Sequence, residues 1–315
     1  MESKIRSIIL SMLLLLFFQC ATEDSNSQYV PPSTTEITHA NDQYLYDSNG
    51  VSLFERYGTA TRWRWNDNFI SPTQRATPID ADFVIPVAKL VDYLWVGPYA
   101  STGSNAVNFI KELFPAELVF IGSYIFNDDG TVLLGYAEGG ARVTLLNLNS
   151  FDFQDRNWLA NPGGGVLATV HHEFSHIVHQ NYGIPAGFNT ISDSYLGNNW
   201  SNGVSRDDAI KLGMVRNYGT LNEYEDFCEI ISHFLVVDQA TFEQDFINLQ
   251  DCSTYADPDD IINCDELNKG RLLIKQKVDL VVEYFNNNFN IDLLEVRDVL
   301  QSRLNNLVDT GVIPE

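Results

Sequence analysis

The sequence is short of basic residues, and that shortage excludes one large class of partners. Lysine and arginine together number 19, against 42 aspartates and glutamates, and the formal net charge is −23. Nucleic acid is therefore not an expected partner, because binding a phosphate backbone needs clustered positive charge. The surplus of acid predicts a soluble, well-hydrated surface and says little about the substrate.

Long hydrophobic runs are also absent, apart from one at the start of the chain. Lys4 and Arg6 precede residues 8–18, all but one of which are apolar, and Cys20 follows closely. Such a run is too short to span a bilayer but is typical of a signal peptide. The cysteine after it resembles the acylated cysteine of bacterial lipoproteins. We therefore expect residues 1–20 to be a lipoprotein signal peptide, with Cys20 as the lipidation site.

The next segment is expected to be a tether. Residues 21–40 are rich in serine, threonine, asparagine and glutamine and contain a proline pair, a composition typical of a flexible linker. The acids at positions 23 and 24 resemble the surface-export signal of lipoproteins in some Gram-negative bacteria. These features predict an outer-membrane lipoprotein of the cell envelope, facing either the periplasm or the outside. Removing the leader, whose net charge is +1, leaves the mature chain at −24.

Cysteine is scarce too, with four in the whole chain. Cys252 and Cys264 flank the polar segment 253–260 and form the expected disulfide in an oxidising compartment. The aspartates of that segment invite a calcium interpretation, but no glycine stands at the sharp-turn position and the ligand spacing does not fit. Cys228 falls inside a helical pattern and is expected to be buried and inert.

The periodicity of apolar residues predicts an α+β chain without internal repeats. Residues 41–150 read as mixed, with a hairpin signal at 47–50 between strands at 44–46 and 51–57. Further elements in this half are helices at 86–95 and 105–114 and strands at 118–122, 132–135 and 142–147. After residue 200 the pattern is mainly helical, at about 205–215, 222–237, 239–249, 267–287 and 292–308.

One stretch carries the chemistry, the sequence His-Glu-Phe-Ser-His at 172–176. Residues four apart on a helix lie on one face, so His172 and His176 could bind one zinc ion, and Glu173 could reach a water on it. Two histidines leave positions for a third protein ligand and a water, as catalytic zinc sites require. The pattern is short and also arises by chance, in which case the histidines would merely be satisfied on a helix.

The surroundings of this motif favour the zinc interpretation. Apolar residues recur at helical spacing, so the pattern predicts a mostly buried helix over 166–182, bounded by the glycine-rich segment 161–165 and by Gly183. Buried imidazoles and a buried carboxylate are costly unless something pairs them. A purely structural zinc is disfavoured, because such sites usually have four protein ligands, often cysteines, and no cysteine lies near the motif in sequence.

The residues alone leave the third ligand open. The metzincin pattern needs glycine and histidine three and six residues after the second histidine, where this chain has His179 and a tyrosine, so that arrangement is excluded. His171 points away from the pair. An acid on a later helix remains, and Glu225 and Glu229 lie four apart on one face. Glu225 could equally complete a capping box that begins at Asn222.

Two segments resemble known metalloproteases. Residues 218–229, Tyr-Gly-Thr-Leu-Asn-Glu-Tyr-Glu-Asp-Phe-Cys-Glu, resemble the downstream metal-binding segment of the anthrax lethal factor catalytic domain. Residues 172–176 resemble its H-E-F-G-H, with Ser175 in place of glycine. More closely, the chain over about 40–308 resembles the zinc-binding metallopeptidase lipoproteins of gluzincin type, which share the lipoprotein leader, the E-D-F-x-E helix and a helical C-terminus.

This resemblance implies a fold and a role for each site residue. The fold is α+β and zincin-like over residues 41–315, with an N-terminal lobe of mixed sheet and helices (about 41–182) that ends in the H-E-x-x-H helix, and a helical C-terminal lobe (about 183–315). The zinc ligands are His172, His176 and Glu225, and the general base is Glu173. Tyr218 stabilises the oxyanion or assists the leaving amine, and Glu229 accepts a hydrogen bond from a ligand histidine.

Together these expectations predict a zinc-dependent peptidase, of endopeptidase type, that cleaves peptide bonds with a zinc-bound water. By analogy with zincins, an extended substrate should pair with the edge strand of the sheet, for which residues 142–147 are the candidate. The alternative is a non-catalytic surface lipoprotein that uses the scaffold to bind a glycan or peptide in an uptake complex. The presence of Glu173, the three ligands and Tyr218 favours the enzyme.

The expected partners follow from the same reading. They are a peptide or protein substrate, the membrane through the lipid on Cys20, and neighbouring outer-membrane uptake proteins.

Overall fold

The computed structural model describes residues 53–314 except 129–131, 134, 139–140 and 193, and for residues 135–138 it describes the backbone only. The predicted leader, the tether and the first strand of the predicted hairpin therefore lie outside the described residues. No helix in the described part of the chain is long and apolar enough to cross a bilayer.

A four-stranded sheet occupies the first half of the described chain. The strands in chain order are β1 (Ala60–Arg62), β2 (Glu117–Phe120), β3 (Ile125–Phe126), β4 (Val132–Leu133), β5 (Gly135–Glu138) and β6 (Arg142–Leu145). The order across the sheet is β1-β2-β6-β5, in which β1, β2 and β6 run parallel and β5 runs antiparallel. Strands β3 and β4 form a separate small hairpin.

The edge of this sheet differs from the prediction. Strand β6, within the predicted edge strand 142–147, lies inside the sheet, and β5 pairs with it from Gly135↔Leu145 to Glu138↔Arg142. The prediction of 142–147 as the edge was therefore wrong. Burial on both faces is the physical reason, because Val143, Thr144 and Leu145 are all fully buried, as is typical of an inner strand.

The helices of the first half begin earlier than their apolar patterns suggested. They are α1 (Leu53–Tyr57), α2 (Ala81–Leu90), α3 (Gly97–Ala100) and α4 (Ser104–Leu113), and a π-helical turn over Val91–Val96 joins α2 to α3. Asp80 caps α2 by accepting a hydrogen bond from the Asp82 backbone N–H, which starts the helix ahead of Pro86. The predicted strand over 51–57 is wrong where the structure describes it, because α1 buries Leu53 at helical spacing from Tyr57.

The second half of the described chain is helical, as predicted. Its helices are α5 (Arg156–Ala160), α6 (Val166–Tyr182), α7 (Arg206–Lys211), α8 (Glu223–Val236), α9 (Gln239–Phe242), α10 (Pro258–Phe289) and α11 (Leu293–Thr310). Helix α10 begins nine residues before the predicted start at 267, because Asp257 caps it and Pro258 occupies its first turn. A disulfide joins Cys252 to Cys264 near that start, with the two Cα atoms 5.6 Å apart.

Helix α6 is the centre of the core. It lies against β5 and β6 on one side and against α8 on the other. Phe174 meets the rings of Trp95, Tyr99 and Phe109 edge-on, each with centroids 5.8 Å away. This aromatic cluster fixes the rotation of α6 about its axis, because Phe174 stands between the two histidines in sequence and buries the opposite face. His172 and His176 consequently face α8.

Candidate metal centre

Helix α6 begins and ends at the predicted residues. Gly165 is needed at its start, since a Cβ there would lie 2.5 Å from the Asn161 backbone nitrogen, and Gly183 ends it with φ of 76°. The Ser232 hydroxyl on α8 donates to the Ala168 carbonyl on α6 at 2.8 Å, which fixes the two helices to each other. With the two helices held in this way, the start of α8 lies opposite His172 and His176.

Asn222 caps α8, and Glu225 stands at its third position. The Asn222 side chain accepts hydrogen bonds from the backbone N–H groups of Tyr224 and Glu225. The carboxylate of Glu225, however, points across to α6, with its Oε2 3.1 Å from His172 Nε2 and 3.3 Å from His176 Nε2. The side chain of Glu225 therefore serves the cluster with the two histidines, and the cap is made by Asn222.

The three donor atoms have the spacing of a zinc site. The two histidine Nε2 atoms are 3.1 Å apart, so all three donor–donor distances lie between 3.1 and 3.3 Å. Four ligands placed tetrahedrally at 2.0–2.2 Å from zinc are about 3.3–3.6 Å apart. The side chains are only 6, 10 and 12% exposed for His172, His176 and Glu225. Oxygen Oε2 of Glu225 is buried and accepts no hydrogen bond from any described residue, so the donor set fits a shared cation.

The charge of Glu225 suits this role. Burial alone would raise the pKa of its carboxyl, but the close imidazoles of His172 and His176 hold that pKa well below its ordinary value. The group is thus a carboxylate at neutral pH, which is the form that coordinates a metal.

Glu229 occupies the other side of His172. Its Oε1 lies 3.2 Å from His172 Nδ1, which leaves Nε2 of that histidine directed at the cluster with Glu225. Arg216 reaches the same oxygen at 3.4 Å, and His233 Nδ1 lies 3.4 Å from Oε2. Burial would raise the pKa of Glu229, but Arg216 and His172 lower it to about 2, so this carboxylate is charged and orients His172.

Sequence reasoning did not identify Arg216 or His233. Arg216 lies in the loop before α8 and also donates to the Pro162 carbonyl at 2.9 Å. His233 lies one turn after Glu229 on α8, and burial lowers its pKa to about 4. The spacing of Glu229 and His233, four residues apart, is the only local signal for either contact. The contact of Arg216 exists only through tertiary packing.

The other ring nitrogen of His176 faces His179. Its Nδ1 lies 2.9 Å from His179 Nε2. His179, three residues after His176, belongs to no group with His172 and Glu225 that could hold one ion. Cys228 is fully buried, as expected, and burial raises the pKa of its thiol. Its Sγ lies close to His176 and His179.

Glu173 and Tyr218 are both buried near the cluster. Glu173 follows His172 directly on α6 and is 2% exposed. The ring of Tyr218 lies 5.9 Å from the ring of His172, centroid to centroid, and 4.9 Å from the ring of Trp200. The ring of Tyr218 therefore lies beside the ring of His172. His171, by contrast, faces away and packs against Tyr99.

A buried ion pair joins the start of α8 to α10. Asp226, the residue after Glu225, has its Oδ2 2.5 Å from Lys277 Nζ on α10 and accepts a hydrogen bond from the Tyr195 hydroxyl at 3.0 Å. Lys277 also donates to the Gly213 carbonyl at 2.7 Å. No local pattern predicts this pair, because a lone lysine in a helix usually reaches solvent.

Comparison with known proteins identifies a family and a similar solved structure. A family described as "putative zinc-binding metallo-peptidase" matches residues 34–294. A solved structure, that of a "putative zinc-binding metallo-peptidase" from Bacteroides caccae, is similar at a TM-score of 0.62 and 24% identity, over 82% of this chain and 90% of that chain. An identity this low shows a shared fold. No curated protein matches the chain.

Proposed function

The chain belongs to the family of "putative zinc-binding metallo-peptidases", and from that premise we propose that it is a zinc-dependent peptidase of zincin type, held at the cell envelope by a lipid on Cys20. The observation that carries the proposal is the donor set of His172, His176 and Glu225, whose three atoms lie 3.1–3.3 Å apart. A glutamate adjoins the first histidine, so one site holds both a metal-binding set and a base.

The residues have separate tasks in this account. His172, His176 and Glu225 would hold the zinc, which when bound lowers the pKa of a coordinated water to about 7 and polarises the scissile carbonyl. Glu173 takes a proton from the attacking water and passes it to the departing amine. Tyr218 donates a hydrogen bond to the carbonyl oxygen as negative charge develops on it. Glu229, charged and fixed by Arg216, keeps His172 in the tautomer that presents Nε2.

The sheet offers a place for an extended substrate. Strand β5 pairs with β6 on one side only among the described strands, and α6 lies against both. An extended peptide could add to the free side of β5 through main-chain hydrogen bonds, which bind a backbone without selecting a sequence. We place the substrate along β5, in contrast to the strand 142–147 favoured by the sequence.

The test is removal and return of the metal. We expect the purified protein to cleave members of a peptide library, to lose cleavage when a chelator strips its metal, and to regain it with one equivalent of zinc. Cleavage by the metal-free protein would contradict the proposal. Zinc-loaded protein that binds peptides or glycans without cleaving any would instead favour a non-catalytic binding lipoprotein.

A further inference from the structure

A second set of metal-binding side chains lies directly beside the first. His176, His179 and Cys228 each offer a donor atom, and the three donor atoms lie within 4.8 Å of one another. Cys228 is fully buried, and His176 is 8% exposed. This set contains a thiol and no carboxylate, whereas the first set contains a carboxylate and no thiol. The two therefore differ in the cations that they prefer.

The imidazole of His176 stands between the two sets. Its Nε2 faces His172 and Glu225, at 3.1 and 3.3 Å, while its Nδ1 faces His179 Nε2 at 2.9 Å. The two nitrogens of one imidazole point in different directions. An ion bound at Nδ1 therefore leaves Nε2 in place for the first site.

We propose that His176, His179 and Cys228 form a second cation site, selective for soft ions such as Cd²⁺, that shares the imidazole of His176 with the first site. Thiolate and imidazole are ligands for soft and borderline ions, whereas Mg²⁺ and Ca²⁺ require oxygen. The site is independent of whether the chain hydrolyses peptides, because it rests on the donor atoms alone.

Binding at this site releases protons and needs no oxidant or reductant. The Cys228 thiol gives up its proton to solvent, since the thiolate is the form that ligates. When Nε2 of His176 already holds the first ion, the Nδ1 proton also leaves, and the ring bridges the two ions. His179 binds through the Nε2 lone pair that otherwise accepts the hydrogen bond from His176, so it releases no proton.

Cadmium titration tests the proposal, because a cadmium–thiolate bond has an ultraviolet charge-transfer band. Zinc-loaded full-length protein should develop this band and saturate at one equivalent of Cd²⁺. Cys228→Ala should abolish the band. His179→Gln should weaken the cadmium affinity by about 10-fold or more. Cys20→Ser, which changes the cysteine of the leader and leaves the proposed site intact, is the matched control and should leave the band unchanged.

Two results would overturn the proposal. One is the absence of the band in the parent protein. The other is an unchanged cadmium affinity in His179→Gln, which would mean that the thiol binds cadmium without a built site. Because Cys228→Ala removes a buried side chain and so costs stability, cadmium-113 NMR of the parent protein gives an independent measurement. A resonance shifted to the range of mixed sulfur and nitrogen ligands supports the site, and a resonance only in the nitrogen and oxygen range contradicts it.

Discussion

Glu225 and Glu229 lie four residues apart on α8 and contact different atoms of the same histidine. Glu225 is 3.1 Å from His172 Nε2, and Glu229 is 3.2 Å from His172 Nδ1. Only Glu225 also reaches His176, at 3.3 Å. A cation bound by the Nε2 atoms of both histidines can therefore also bind Glu225 but not Glu229. These contacts support Glu225 as a ligand and Glu229 as the residue that orients His172.

Substitution by glutamine separates these two roles. Glu225→Gln should remove most zinc binding, because a neutral amide is a poor zinc ligand, while the Asn222 cap keeps α8 in place. Glu229→Gln should lower zinc affinity by only about 10- to 100-fold, as is usual for a partner behind a ligand. Zinc titration of both variants is the measurement. If Glu225→Gln bound zinc as tightly as the parent and Glu229→Gln did not, the assignment would be reversed.

His233 should make the metal-free protein sensitive to acid. Its pKa is lowered from 6.5 to about 4 by burial, so below pH 6.5 the unfolded chain takes up a proton that the folded chain excludes. The free energy of unfolding should therefore fall by about 3 kcal/mol as the pH falls from 7 to 4. Denaturant unfolding of parent and His233→Gln across this range is the check. Equal pH dependence in the two proteins would show that His233 is not responsible.

Single residues were predictable where a local rule applies and not elsewhere. The spacing of His172 and His176 predicted a shared helical face, and the structure brings their Nε2 atoms within 3.1 Å. Arg216 and Lys277 were missed, because their partners lie on other elements and no spacing rule connects them. Which of the two glutamates faces the histidines also needed the rotation of α8, which tertiary packing sets.

Among the elements, α7 and α10 cross at unusually close range. A Cβ on Gly270 of α10 would lie 1.7 Å from the Ile210 carbonyl oxygen of α7. No side chain fits there, so this glycine is required by the helix contact and not by its own backbone conformation.

Gly270→Ala should therefore destabilise the protein. Forcing the helices apart costs about 1–3 kcal/mol, against a gain of about 1 kcal/mol in helix propensity. We expect a lower denaturation midpoint for this variant. Lys269→Ala, at the exposed neighbouring position, is the matched control and should change stability by less than about 0.5 kcal/mol. A Gly270→Ala protein as stable as the parent would show that the contact can relax.

Long periodic elements were predicted well and sheet topology was not. Helix α6 extends over Val166–Tyr182 as predicted, because glycines bound it and its apolar stripe is continuous. The start of α10 at Pro258 was missed, since its first turns are mostly polar and only the Asp257 cap and Pro258 mark them. The edge position of β5 depends on which strands pair, and alternation within one strand carries no such information.

For the molecule as a whole, the proposed lipid anchor would decide where the proposed activity acts. Cys20 lies outside the described residues, so the proposal rests on the sequence of the leader. Cys20→Ala should release the protein from the membrane fraction into the soluble fraction. Mass spectrometry of the parent should find an acylated N-terminal cysteine. An unmodified mature terminus that begins beyond residue 21 would refute the anchor.

The candidate metal centre lies where α6 meets α8. Helix α6, which packs against β5 and β6, brings two histidines, and α8 brings Glu225. The side chain of Gln301 on α11 donates to the carbonyls of Leu235 and Val236, which holds the far end of α8. The site thus depends on packing of the whole helical half and not only on the motif at 172–176.

Glu173→Gln, compared with the parent for zinc content and for peptide cleavage in the same preparation, tests the central claim most directly. The substitution keeps the size of the side chain and leaves His172, His176 and Glu225 unchanged. We expect one zinc per chain in both proteins and a loss of cleavage of about 100-fold or more in the variant, because a general base contributes about 10²–10⁴-fold. A variant that retains zinc and cleaves peptides at the parental rate would contradict the account.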